Sequence, residues 1–312
     1  MKARHMGGSG NTFVLIDYIE EIKAGSIISK GNTREMDSLN ITIGANYIRK
    51  IGFKPDGFLF VIPSDDGIFR MLYYDVNRTT GGLSRANICG NGLRCFGRYI
   101  DDTYGIIGHQ WDQRVLDVLT DDGLKRLSVG MKDVEANMGP AREYADLEGT
   151  LGEFFFSEIS HLYPNPNEVE TTLHFVNTGL AHIVYIIPSL DVETLMGEWR
   201  RIGRATRYDQ NLMTYLNHPE GLHVNFVEIN GKREISIVTY EVGVEDITKA
   251  CGTGSTASAF VANKVKGICY PIKVHNPGGD LEVDMRGEDL FLNGPTEYIG
   301  MNNNINLEEL MR

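Results

Sequence analysis

Long apolar runs, a disulfide framework and an excess of positive charge are all missing from this chain. No segment approaches the roughly 20 apolar residues that a bilayer-spanning helix needs. The opening Met1-Lys2-Ala3-Arg4-His5-Met6-Gly7-Gly8-Ser9-Gly10 lacks the apolar stretch of a secretory leader. A membrane partner is therefore not expected. Four cysteines in 312 residues are too few for a stapled secreted scaffold and point to a reducing cytoplasm. Lysine and arginine number 30 against 42 acidic residues, a formal charge of −12. A nucleic-acid or anionic-lipid partner would favour the opposite balance. The glycines before Asn11 are not followed by the Gly-Lys-Ser/Thr of a phosphate loop, and no lysine-centred motif for pyridoxal phosphate is evident. Cys89 and Cys95 lack the Cys-x-x-Cys spacing of a zinc site. Neither a cofactor nor a metal is expected.

What remains is an ordinary globular composition, 42% hydrophobic and 23% charged, in a chain whose length suits two domains. Short β-branched and aromatic runs punctuated by Gly, Pro or Asp predict strands at Thr12–Asp17, Phe58–Ile62, Leu116–Thr120, His182–Ile187 and Ile235–Tyr240. Only two segments read clearly as helices, Leu93–Asp101 and Ser255–Lys266. Each follows a Cys-Gly-x-Gly turn, and the two turns sit about half a chain apart. The order strands, Cys turn, helix thus occurs twice, as in an internal duplication with its boundary in Lys132–Pro140. The class is α/β, divided into residues 1–133 with 297–312, carrying Cys89, and residues 134–296, carrying Cys251. Pro164–Asn167 reads as a surface loop, and Asn302–Asn304 as a turn before a short closing helix.

The Cys turns carry the chemistry. A helix N-terminus offers unpaired N–H groups and partial positive charge. Both favour a thiolate and both can hold a carboxylate. Two such ends facing one small anion would place an acid and a base on opposite sides of a carbon. The backbone of Gly90-Asn91-Gly92 and Gly252-Thr253-Gly254 supplies the donors. A buried packing thiol is the default reading of any single cysteine, and it is the reading for Cys95 and Cys269.

These motifs resemble the diaminopimelate epimerase family of cofactor-independent racemases and epimerases. The resemblance runs nearly end to end through Gly10–Asp17, Asp56-Gly57, Ala86–Gly92, Asn177–His182, Val224–Glu228, Tyr240-Glu241 and Ala250–Gly254. It implies two pseudo-symmetric domains, each a curled β-sheet around a central helix, with the active site in the cleft between them. It also implies that Cys89 and Cys251 act as thiolate and thiol, that His182 and Glu241 assist them, and that Asn11 and Asn91 contact the substrate. A homodimer is the assembly the family implies, with a small amino acid as the molecule bound.

The departures from the family concern the far end of the substrate. The family places an Arg after the equivalent of Glu241, where this chain has Val242. Leu180 stands in a run that often reads Asn-Pro-His, and His223 stands where an Asn is common. Asn77 belongs to a stretch before the first Cys that is lengthened and lacks its Asp. Removing an Arg that pairs with a carboxylate leaves a buried charge unpaired, at about 3–5 kcal/mol. Unless Arg78 or Arg85 replaces it, the expected substrate is an amino acid without a distal zwitterion, such as histidine. The alternatives are a diaminopimelate epimerase with different distal anchors and, from another class, a non-catalytic amino-acid-binding protein.

Overall fold

The computed structural model describes residues 3–23, 33–63, 68–105, 109–110, 113–147, 158–165, 170–302 and 307–311. Residues 166–167 of the expected loop and 303–304 of the expected turn lie outside these. Contacts divide the chain into two compact units, Met1–Ala136 with Gly294–Arg312, and Asn137–Asn293.

In the first unit, strand Asn11–Asp17 pairs antiparallel with Ala3–Gly8 and parallel with Gly57–Ile62. Gly57–Ile62 continues antiparallel to Phe69–Val76, which pairs antiparallel with Leu83–Ala86 and parallel with Gln113–Thr120. Gly123–Val129 and the start of Asp133–Pro140 extend the ladder. Helix Gly90–Tyr104 packs against strands from all around this ladder, so the sheet curls about it. Its residues 90 to 101 are all buried. Helix Thr33–Ile51 covers the other face, where Ile43 and Tyr47 meet Phe58, Phe60 and Tyr74. A sheet covered on both faces needs continuous rather than alternating apolar residues, and Gly57–Ile62 is buried at every position.

The second unit repeats this plan. Ala181–Ile187 pairs antiparallel with Thr172–Asn177 and parallel with His223–Gly231. Glu234–Glu241 follows antiparallel, flanked by Asp246–Ile247 and, parallel, by Ile272–Asn276. Gly279–Arg286 and Asp289–Pro295 complete the ladder. Helix Gly252–Lys266 is the one enclosed, in contact with strands on every side. Helix Val192–Arg207 lies outside, capped by Asp191, which accepts from Thr194 N–H at 3.2 Å. Leu195, Trp199, Ile202 and Thr206 form its inward stripe, spaced as a 3.6-residue period requires.

The strands thus form where the residues predict them, and two helical expectations are corrected. Helices Gly90–Tyr104 and Gly252–Lys266 begin at the glycine after each cysteine, three residues earlier than expected. The Gly-x-Gly segments are first helical turns, because tertiary enclosure outweighs the low helix propensity of glycine. Thr33–Ile51 and Val192–Arg207 also exceed the expectation of two clear helices. Among the described residues no helix is long and apolar enough to cross a membrane.

Trp199 anchors the outer helix of the second unit. It is fully buried, donates Nε1–H to Leu190 O at 2.6 Å and lies 4.9 Å from the Phe226 ring, centroid to centroid. Trp199→Ala is expected to lower stability by about 3–5 kcal/mol. A denaturant titration checks this, and an unmoved midpoint would contradict the packing described.

Candidate active site

Each enclosed helix is capped at its N-terminus by a cysteine. Cys89 has extended backbone angles (φ −134°, ψ 116°), and its Sγ accepts from Gly92 N–H at 3.4 Å. Cys251 has nearly the same angles (φ −122°, ψ 116°), and its Sγ accepts from Gly254 N–H at 3.4 Å. The cap carbonyls take the next donors, Leu93 N–H at 2.7 Å and Ser255 N–H at 2.8 Å. Gly92 and Gly254 therefore commit their N–H groups to sulfur. Gly90, Gly252 and Thr253 keep N–H groups without a hydrogen-bond partner among the described residues, at the positive end of a helix dipole.

Around Cys89 a polar chain fixes the amides. Asn91 Nδ2 donates to Asn11 Oδ1 at 2.6 Å, and Arg94 donates to Asn91 Oδ1 at 2.8 Å and to Ser9 Oγ at 3.2 Å. Arg94 also reaches Pro295 O at 3.0 Å. These bonds engage the side chain of Asn11 through its Oδ1 alone. Burial lowers the Arg94 guanidinium to about 10, against the opposing pull of Cys95, Cys89 and Asp133. Its charge is thus felt at the Cys89 sulfur, which favours a thiolate there. Arg94 and Ser9 went unremarked in the sequence because nothing in the local pattern distinguishes them from surface residues. Cys95 is a packing thiol as expected, fully buried, with burial pushing it up to about 12. Cys269 is exposed, which corrects the packing role expected of it. A cysteine six residues into a buried helix has no route to solvent, whereas Cys269 lies just beyond a helix end.

Asn77 closes its own turn. Its Oδ1 accepts from Thr79 and Thr80 N–H at 3.0 and 2.8 Å. Arg78 pairs with Asp56 at 3.0 Å, and Arg85 with both Asp37 and Asp121 at 2.6 Å. Both guanidiniums are thus already matched to carboxylates.

The second unit brings other predicted residues together beside Cys251. His182 and His223 are register partners on parallel strands, with ring centroids 4.9 Å apart. Glu241 ends the neighbouring strand, and the Cys251 thiol donates to its Oε1 at 3.6 Å and lies 3.4 Å from Thr253 Oγ1. Val242 follows and donates its N–H to His223 Nδ1 at 3.3 Å. Leu180 is half-buried in the turn ahead of His182, where Thr178 Oγ1 reaches Thr253 O at 3.4 Å.

Asn225, which sequence reading did not single out, organises this group. Its Nδ2 donates to Ile183 O at 2.9 Å and to His182 Nδ1 at 3.1 Å, while its Oδ1 accepts from Thr239 at 2.9 Å. With Nδ1 accepting, neutral His182 carries its proton on Nε2, a buried donor with no partner among the described residues. Burial first, and the nearby His223 second, hold His182 well below the ordinary histidine range. Burial and then the Arg207 charge take His223 down to about 3. Both rings are therefore neutral near pH 7.

Comparison with known proteins follows the same lines. The family model described as Diaminopimelate epimerase matches residues 174–299. A diaminopimelate epimerase of Archaeoglobus fulgidus is 30% identical over 93% of this chain and 91% of its own length. Among solved structures, a "Predicted Epimerase" of Pseudomonas aeruginosa aligns with TM-score 0.66 at 13% identity, covering 98% of this chain and 99% of its own. A probable proline racemase of Agrobacterium radiobacter aligns with TM-score 0.63 at 14% identity, over 97% of this chain and 92% of its own. The protein is an isomerase of the racemase and epimerase class. It belongs to the diaminopimelate epimerase family.

Gly254 sits where the helix meets Asn225. A Cβ there would lie 2.5 Å from Asn225 Oδ1 and 3.0 Å from Thr239 Oγ1, both held by hydrogen bonds. Gly254→Ala is expected to displace Asn225, move the His182 imidazole resonances and lower kcat/KM at least about tenfold. A folded variant with unchanged resonances and turnover would show that this contact does not position the site.

Proposed function

We propose that the chain is an amino-acid racemase that needs no pyridoxal phosphate and inverts the α-carbon by two-base transfer between Cys89 and Cys251. The observation that carries this reading is that both enclosed helices are capped by a cysteine sulfur. Such a sulfur sits beside unpaired N–H groups and partial positive charge, which lower the energy of the thiolate.

In one direction Cys251, its thiol proton passed to Glu241, removes the α-proton as the thiolate. The charge left on carbon spreads into the substrate carboxylate, where the N–H groups of Gly90, Gly252 and Thr253 and the amides of Asn11 and Asn91 stabilise it. Cys89, as thiol, delivers its proton to the opposite face. The reverse reaction exchanges the two roles, so the pair titrates as a unit. Neutral His182 contributes its Nε2–H as a donor rather than as a charge. A homodimer in a reducing cytoplasm is the proposed working form, since both thiols must stay reduced.

For the substrate we infer an amino acid without a distal zwitterion, histidine being the first candidate. Val242 offers no charge where the family has Arg, His223 is neutral, and Arg78 and Arg85 are matched to carboxylates. Arg207, whose charge His223 feels, donates to Glu245 Oε1 at 3.1 Å. That same Arg207 supports the second reading, a diaminopimelate epimerase in which it anchors the distal carboxylate. The names of the relatives favour that reading too.

Proton NMR in D₂O with thiol reductant, over L-histidine, other L-amino acids and the diaminopimelate stereoisomers, decides between them. Loss of the α-proton signal and racemisation of a simple amino acid, with diaminopimelate inert, is expected. Turnover of diaminopimelate alone would establish the second reading, and no exchange at all would leave a binding protein. Cys89→Ala and Cys251→Ala are each expected to lower kcat/KM roughly a thousandfold or more with the fold intact. Near-normal racemisation by either would sink the two-base mechanism. Val242→Arg is expected to weaken use of a neutral substrate about tenfold, and an unchanged substrate profile would count against this placement of the distal pocket.

A further inference from the structure

Cys251, Glu241 and His223 bring one potential ligand atom each to within 4.8 Å of one another. The Cys251 sulfur and Glu241 Oε1 are already 3.6 Å apart. Two ligands on one tetrahedral zinc, bonded at about 2.3 Å through sulfur and about 2.0 Å through oxygen, stand about 3.5 Å apart. The third ligand needs a movement of roughly 1 Å to close the set. The one hydrogen bond to the His223 ring among the described residues is the long 3.3 Å contact from Val242 N–H, so little holds that nitrogen back. His182, whose buried Nε2 has no hydrogen-bond partner among the described residues, packs against His223 beside the cluster.

Thiolate, imidazole and carboxylate form a borderline-soft donor set, which favours zinc over magnesium or calcium. His223 makes the difference, because an amide side chain at that position would supply no comparable nitrogen ligand. We propose that Cys251, Glu241 and His223 form a site for zinc, with water in the fourth position, and that occupancy reversibly switches the enzyme off. On binding, the Cys251 thiol releases its proton to solvent and its sulfur lone pair bonds the metal. Glu241 gives a carboxylate oxygen and His223 a ring nitrogen, and nothing is oxidised or reduced. A sulfur bonded to zinc cannot accept an α-proton. Metal binding stands on the geometry alone, while the loss of turnover rests on the proposed role of Cys251.

The test uses cobalt as a coloured stand-in for zinc on the reduced, metal-free full chain. One equivalent of Co²⁺ is expected to give a thiolate-to-cobalt charge-transfer band and intense d–d bands of four-coordinate cobalt, both lost on adding Zn²⁺. Cys269→Ser should leave these bands unchanged, and His223→Asn should weaken zinc binding at least roughly tenfold. X-ray absorption of zinc-loaded wild-type protein should show one sulfur near about 2.3 Å and lighter ligands near about 2.0 Å. That measurement decides the matter even if His223→Asn fails to fold. A zinc shell without sulfur, or equal affinity in folded His223→Asn, would overturn the site. Binding as described with α-proton exchange undiminished at full occupancy would overturn the switch while leaving the metal site in place.

Discussion

Everything at the candidate site depends on how a buried helix end is satisfied. An N-terminus enclosed by a sheet must find partners for its N–H groups, and burying them unpaired costs about 1–3 kcal/mol each. A sulfur cap answers one of them in each unit, at the same distance and with almost the same backbone angles. The cap is weak by hydrogen-bond standards, an N–H to sulfur contact of 3.4 Å in both units. The first N–H groups beyond it remain as an anion-binding end. One arrangement thus closes a helix against its sheet and, on the proposed function, also holds the reacting sulfur beside a site for negative charge.

Glycine follows from the same constraint. The helix end must approach the strands closely enough for Gly254 to sit against Asn225, and Gly92 against Leu59, where any side chain would intrude. The curled sheet in turn sets which residues meet at that end. Register pairs His182 with His223 and Asn225 with Thr239, so the strand ladder delivers the side chains to Cys251. Burial then keeps both imidazoles neutral, and Asn225 decides which nitrogen of His182 carries the proton.

Legibility differed by the range of the interactions involved. The strands could be read because a run such as Phe58–Ile62 carries its β preference locally. The outer helix Val192–Arg207 was less visible, although its Asp191 cap and Leu195, Trp199, Ile202 spacing are present in the residues. Its stripe becomes meaningful only once there is a sheet face to receive it. At the site, Cys89, Cys251, His182 and Glu241 stood out by repetition and family pattern. Arg94 and Asn225 did not, because their roles are defined by partners far off in the chain, Ser9 and Pro295 for one, Thr239 and Ile183 for the other.

By itself the sequence determined that the chain is built twice on one plan, that each half presents a cysteine at a helix start, and that an uncharged Val242 follows Glu241. These are matters of residue identity and short spacing, which the covalent chain carries directly. Only the tertiary structure decided that the glycine segments are helical, that His223 and His182 are neutral, and that His223, Glu241 and Cys251 share one small volume. Protonation and ligand geometry depend on burial and through-space neighbours, and those exist only after strands distant in sequence have paired.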